Sequence, residues 1–61
     1  MTFNQAEKMI KADGWVHSYT NGSHYNYRHP TKSGKVTIPK HGNKDLHPKV
    51  VKSIRRQAGL T

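Results

Sequence analysis

Near the start of the chain, apolar residues recur with helical spacing. Phe3, Ala6, Met9 and Ile10 fall near one face, with Glu7, Lys8 and Lys11 outside it. Thr2 and Gln5 stand three residues apart, the capping-box pattern of a helix start, and Gly14 supplies a left-handed stop. The spacing predicts a helix over residues 3–13. A second apolar stripe, Val50, Val51, Ile54 and Ala58, predicts another helix, with Lys49, Lys52, Arg55 and Arg56 pointing elsewhere. Pro48 suits its first position, and Leu46 and Val51 can close a hydrophobic staple around its start. Gly59 ends it, and Leu60 can fold back towards Ile54.

Between the helices the pattern changes. "WVHSYT" is rich in aromatic and β-branched residues and reads as a strand. Asn21-Gly22 is a strong signal for a two-residue type I′ turn, which makes "SHYNYRH" the returning strand. "PTKSG" forms the next turn, "KVTI" a third strand stopped by Pro39, and "KHGNKD" a polar loop into the second helix. The order is α-β-β-β-α. An antiparallel three-stranded sheet with both helices on one face buries this pattern economically, an α+β fold. The length fits one small domain, residues 1–61.

The turn assignment implies a register. Thr20 opposes Ser23, Tyr19 opposes His24, His17 opposes Asn26, Val16 opposes Tyr27 and Trp15 opposes Arg28. Side chains alternate faces, so Val16, Tyr25 and Tyr27 share one face with Ser18, Thr20 and Ser23. Val36 and Ile38 join them against the helices. The other face carries Trp15, His17, Tyr19, His24, Asn26 and Arg28, with Lys35 and Thr37.

Charge gives that second face a meaning. Eleven Lys and Arg stand against three acids, a formal net charge of +8. So broad a positive field attracts polyanions, of which nucleic acid is the commonest, or an acidic protein. Aromatic rings can stack on splayed bases while Arg and Lys hold phosphates. The absence of cysteine excludes a disulfide framework and thiolate zinc ligation. The five histidines lack the i, i+4 helical spacing of a zinc motif, so no metal or other cofactor is expected. No membrane-spanning run or signal-peptide core is visible, and a cytoplasmic location is expected. On the residues alone three readings stand: an RNA-cleaving enzyme, a non-catalytic RNA-binding module, and a structural partner of an acidic protein.

The ordered motifs separate them. Gly22-Ser23-His24 at the second strand, Tyr27-Arg28-His29-Pro30, Val36-Thr37-Ile38-Pro39-Lys40-His41 and the closing Lys52–Leu60 segment resemble the HicA toxins. These are small RNA-cleaving proteins of bacterial and phage toxin–antitoxin pairs. The likeness covers nearly the whole chain, including Gly14-Trp15 before the first strand. It implies a double-stranded-RNA-binding-like fold and an mRNA-cleaving toxin that inhibits translation and growth. It further implies His24 as the catalytic residue and a HicB-type antitoxin that masks it. Tyr25 and Asn26 stand where relatives often have His or an aliphatic residue.

Metal-free RNA cleavage uses the substrate's own 2′-hydroxyl as nucleophile. The protein must position the phosphodiester, take the hydroxyl proton and stabilise charge on the phosphoryl oxygens. Histidine is the side chain suited to proton exchange near neutral pH. Arg28, Lys35 and the Gly22–Ser23 backbone are the candidates for holding phosphate, and Tyr19 for orienting the imidazole or stacking on a base. Asn26 completes the expected RNA-facing set.

Overall fold

The computed structural model describes residues 1–42 and 44–60. Asn43, in the expected polar loop, and Thr61 lie outside the described residues. The order is α1 (Phe3–Ala12), β1 (Val16–Asn21), β2 (His24–Arg28), β3 (Val36–Pro39) and α2 (Pro48–Ala58), with an antiparallel sheet ordered β1-β2-β3. The α-β-β-β-α expectation is met, with element limits within a residue or two of those expected.

Both helices end as their sequences direct. The Thr2 hydroxyl accepts from the Gln5 amide and the Gln5 side chain accepts from the Thr2 amide, completing the capping box. At the far end of α2, Gly59 takes a φ of 72°, and the Leu60 and Gly59 amides return to the Arg55 and Arg56 carbonyls. That is a Schellman ending. The start of α2 holds an unanticipated cap. His47, outside the usual Ser, Thr, Asp and Asn set, accepts the Lys49 amide on Nδ1 at 3.0 Å.

The core lies between the helices and one sheet face. Phe3, Ala6 and Ile10 of α1 and Ile54 and Ala58 of α2 meet Tyr27, Val36 and Ile38. Tyr27 pairs with Val36 and Tyr25 with Ile38, so these four share that face. Burial pushes the Tyr27 phenol well above its ordinary range, and its hydrogen bond to Glu7 adds to the shift. It therefore stays protonated and donates to the Glu7 carboxylate.

The hairpin register differs from the expected one in two steps. The ladder pairs Asn21 with His24, Thr20 with Tyr25 and Tyr19 with Asn26, so the loop is Gly22-Ser23. Gly22 has a φ of 61°, and among the described residues no non-glycine residue has positive φ. Glycine at the first central position is the type II′ pattern, whereas the expected Asn21-Gly22 I′ turn needs positive φ at both residues. This first step displaces the pairing by two residues and leaves the faces unchanged. Then a bulge between His17 and Tyr19 restores pairing as His17 with Tyr27 and Val16 with Arg28. One extra residue exchanges the faces beyond it. His17 therefore moves to the helix side, its ring centroid 5.7 Å from those of Tyr25 and Tyr27, and Val16 turns out to solvent, 61% exposed. Trp15, expected on the open face, is 1% exposed and part of the core.

His29 and Lys32 fasten the ends of the elements together. His29 Nδ1 accepts the Thr31 and Lys32 amides, which leaves Nε2 as the protonated nitrogen, donating to the Asp13 carbonyl at 2.7 Å. Its ring meets Trp15 edge-on at 5.1 Å. A Cβ at Gly14 would come within 2.7 Å of Nε2, and Gly14 also holds a φ of 105°, so glycine is required there twice over. Lys32 binds the Asp13 carboxylate and, at 3.0 Å, the Ala58 carbonyl at the end of α2.

That hydrogen bond from Lys32 holds the Asp13 carboxyl below its ordinary value. A depressed folded-state pKa means the pair stabilises above the unfolded value, about 3.9, and is lost as pH falls through the folded one. The urea midpoint of the wild type is expected to fall with acidification below about pH 4. Lys32→Met should start lower and show a shallower acid dependence. An identical pH profile for the two proteins would contradict the assignment.

Candidate active site

His24 is the first residue of β2, directly after the Gly22-Ser23 turn, and is exposed. It lies between Asn21 of β1 and Pro39 of β3 in the ladder. By alternation it shares the helix-free face with Tyr19, Asn26, Arg28 and Thr37. Among the described residues no side chain hydrogen-bonds to the imidazole, so both nitrogens are open to an incoming molecule. The ring stands between two depressions. One, on the sheet face, is bounded by Tyr19, Asn21, Asn26, Lys35 and Thr37. The other runs between β3 and α2.

The remaining expected site residues divide by what they touch. Lys35 Nζ lies 3.2 Å from the Tyr19 hydroxyl and 5.8 Å from its ring centroid, so a cation and an aromatic plane stand together beside His24. Tyr19 opposes Asn26, however, and is therefore not directly across from His24 as the expected register had it. Arg28 is exposed at the far end of β2, paired with Val16, four residues along the strand from His24. Gly22 and Ser23 form the turn before His24, and the Ser23 carbonyl accepts the Lys40 amide at 2.8 Å, closing the sheet behind the histidine.

Asn26 differs most from its expected part. It is 4% exposed, the buried polar residue among the described residues. Its amide nitrogen donates to the His24 carbonyl at 3.3 Å, and its oxygen accepts the Thr37 hydroxyl at 2.6 Å. The Thr37 amide in turn donates to Gln57 Oε1 at 2.9 Å, and Gln57 Nε2 donates to the Ser53 hydroxyl at 3.0 Å. A polar chain thus runs from α2 through β3 to the backbone of His24. Sequence reasoning reached Asn26 and Thr37 but not Gln57 or Ser53, whose only trace was their separation of four residues on the polar side of α2.

The three acidic side chains are all engaged away from this face. Glu7 meets Tyr27 and Lys11, Asp13 meets Lys32, and Asp45 lies 4.0 Å from the N-terminal ammonium. The polar surroundings of His24 are therefore hydroxyls, side-chain amides and the cations Lys35 and Lys49. Such a set suits an anionic ligand and proton transfer by the imidazole.

The family model for the HicA toxin of bacterial toxin–antitoxin systems matches residues 3–60. The chain belongs to the HicA toxin family. The match takes in both helices, all three strands and every residue of the face just described, so this HicA-family chain has a toxin role in a toxin–antitoxin system and an antitoxin partner. No curated protein sequence matches it significantly. Among the described residues no helix is long and apolar enough to cross a membrane.

Proposed function

We propose that this HicA-family toxin is an endoribonuclease that cuts mRNA through His24, without a metal, and so stops translation and growth. The observation that carries the reading is the position of His24: exposed, unengaged, and set between two depressions on a strongly cationic surface. In the proposed reaction the imidazole takes the proton of the substrate's 2′-hydroxyl. The 2′-oxygen forms a bond to phosphorus, and the bond from phosphorus to the 5′-oxygen breaks. The departing oxygen receives a proton from the imidazolium or from water. Lys35 and the Gly22–Ser23 backbone offer positive charge and donors to the phosphoryl oxygens, Arg28 at the other end of β2 offers a cation to a neighbouring phosphate, and Tyr19 offers a ring on which a base can stack.

A HicB-type antitoxin would silence the enzyme by covering His24 and its flanking depressions. A complementary acidic surface on that partner suits the net charge of +8. The whole chain acts as one domain in this proposal, working in the cytoplasm where mRNA is found.

The chemistry fixes the products: a 2′,3′-cyclic phosphate on one fragment and a 5′-hydroxyl on the other. Incubating the purified protein with RNA in the presence of a chelator and analysing the ends is the direct test. Fragments ending in 3′-hydroxyl and 5′-phosphate, or cleavage of a strand lacking 2′-hydroxyls, would contradict the mechanism.

In this scheme Asn26 acts through His24 as a positioning residue. Asn26→Ala is expected to lower kcat about tenfold or more, because small misplacements of a reacting group are costly, while KM changes little. Asn26→Asp, which keeps the acceptor for Thr37 and loses the donor to the His24 carbonyl, should fall between. A pure rise in KM would place Asn26 in substrate contact instead.

A further inference from the structure

The groove between β3 and α2 has no occupant in the scheme above, yet His24 forms one end of it. Its volume of ≈ 350 Å³ lies within the roughly 300–1,000 Å³ range of small-molecule clefts. Pro39, Val50 and Ile54 supply apolar walls, and Lys49 and Ser53 supply polar groups. Lys49, Ser53 and Gln57 recur at i, i+4 and i+8, so one stripe of α2 faces the groove. Gln57 is committed on both ends of its amide, to the Thr37 amide and the Ser53 hydroxyl oxygen. The proton of the Ser53 hydroxyl therefore remains to be donated, and Lys49 has no ion-pair partner among the described residues.

We infer that this groove seats the nucleobase on one side of the scissile phosphate, with Ser53 and Lys49 as the residues that select it. The inference rests on the proposed RNA cleavage and extends it to substrate recognition. Apolar walls with two convergent polar groups match a base, which offers flat faces and a hydrogen-bonding edge. Because His24 is common to the groove and to the sheet-face depression, a phosphodiester held at the imidazole places its two nucleosides in different hollows. One lies beside Tyr19 and Lys35, the other against α2. Exposed Lys52 and Arg56 on α2 continue the cationic track for the backbone beyond the groove. Such a path separates neighbouring bases, which a duplex does not allow, so the substrate is single-stranded at the cut.

The test has two arms. In the first, wild type, Ser53→Tyr and Lys49→Ala cleave a degenerate single-stranded RNA, and the base frequencies on each side of the cut are counted. Ser53→Tyr, which fills the groove, should lower kcat/KM at least tenfold. Lys49→Ala, at an exposed position that does not threaten folding, should alter base frequencies at one flanking position and leave the other unchanged. A duplex of the same sequence should be cut at least tenfold more slowly. In the second arm His24→Ala is titrated with a tetranucleotide and backbone amide shifts are followed. Shifts at Val50, Ser53 and Gln57 are expected alongside those at Tyr19. Cleavage by the wild type with unchanged frequencies in Lys49→Ala and no shifts on α2 would overturn the groove while leaving the nuclease reading intact. Shifts on α2 with no cleavage by the wild type would keep the groove as an RNA site and overturn the catalytic role of His24. Neither cleavage nor shifts would overturn both.

Discussion

Replacing His24 with alanine is expected to abolish detectable RNA cleavage and growth arrest while leaving the fold intact. General base catalysis by a positioned side chain contributes about two to four orders of magnitude, and no described carboxylate stands near His24 to replace it. The cost to stability should be small, because the ring is exposed and holds no hydrogen bond among the described residues. The sole tryptophan is buried, so its fluorescence reports unfolding of wild type and variant alike. Coincident unfolding curves together with lost cleavage is the expected pair of results. An alanine variant that cut RNA at the wild-type rate would remove His24 from the mechanism. Binding to the antitoxin should survive, since in the proposed masking the partner covers both depressions and not His24 alone.

The second large effect is on stability. Trp15→Ala should remove about a third or more of the stability of the fold and lower the urea midpoint accordingly. Trp to Ala in a core costs about 3–5 kcal/mol. A chain of this length has a margin of about 3–9 kcal/mol at typical stability per residue. Trp15 is 1% exposed, packs edge-on to His29 and donates from its indole to Asp13 at 3.2 Å. Its loss would therefore loosen the joint at which His29 and Lys32 gather α1, the turn after β2 and the end of α2. Far-ultraviolet circular dichroism against urea checks this, with Trp15→Phe as the control that keeps most of the buried volume. A cooperative transition for Trp15→Ala at the wild-type midpoint would contradict the account.

The positions of Trp15 and His24 show how unevenly the sequence exposed the fold. His24 could be placed on the open face even though the turn was assigned one residue early. The resulting two-residue displacement preserved alternation, so Tyr19, His24 and Asn26 kept a common side. Trp15, Val16 and His17 were assigned to the opposite faces, because their orientation depends on a bulge in "VHSYT", where no glycine or proline marks an irregularity. Helix limits were legible because Thr2, Gln5, Pro48 and Gly59 act locally. Gln57 was not, because its partner is the amide of Thr37 in a distant element. Likewise the cap at His47 uses a ring nitrogen in a place where hydroxyls and carboxylates usually serve. Local chemistry was readable, and long-range side-chain to backbone contacts were not.

The bond from Thr37 to Gln57 has a consequence for assembly. Strand β3 is an outer strand, and its alternate residues turn their backbone groups away from β2. Of these, Thr37 has its donor taken by Gln57, and Pro39 has no donor. A foreign strand would find no free N–H at either position, so this margin resists strand addition and the aggregation that follows from it. The opposite margin is β1, exposed at each of its six residues. Donor groups for a strand that would extend this sheet are thus withheld on the β3 side, next to the groove beside α2, and the bulge between His17 and Tyr19 interrupts the β1 side.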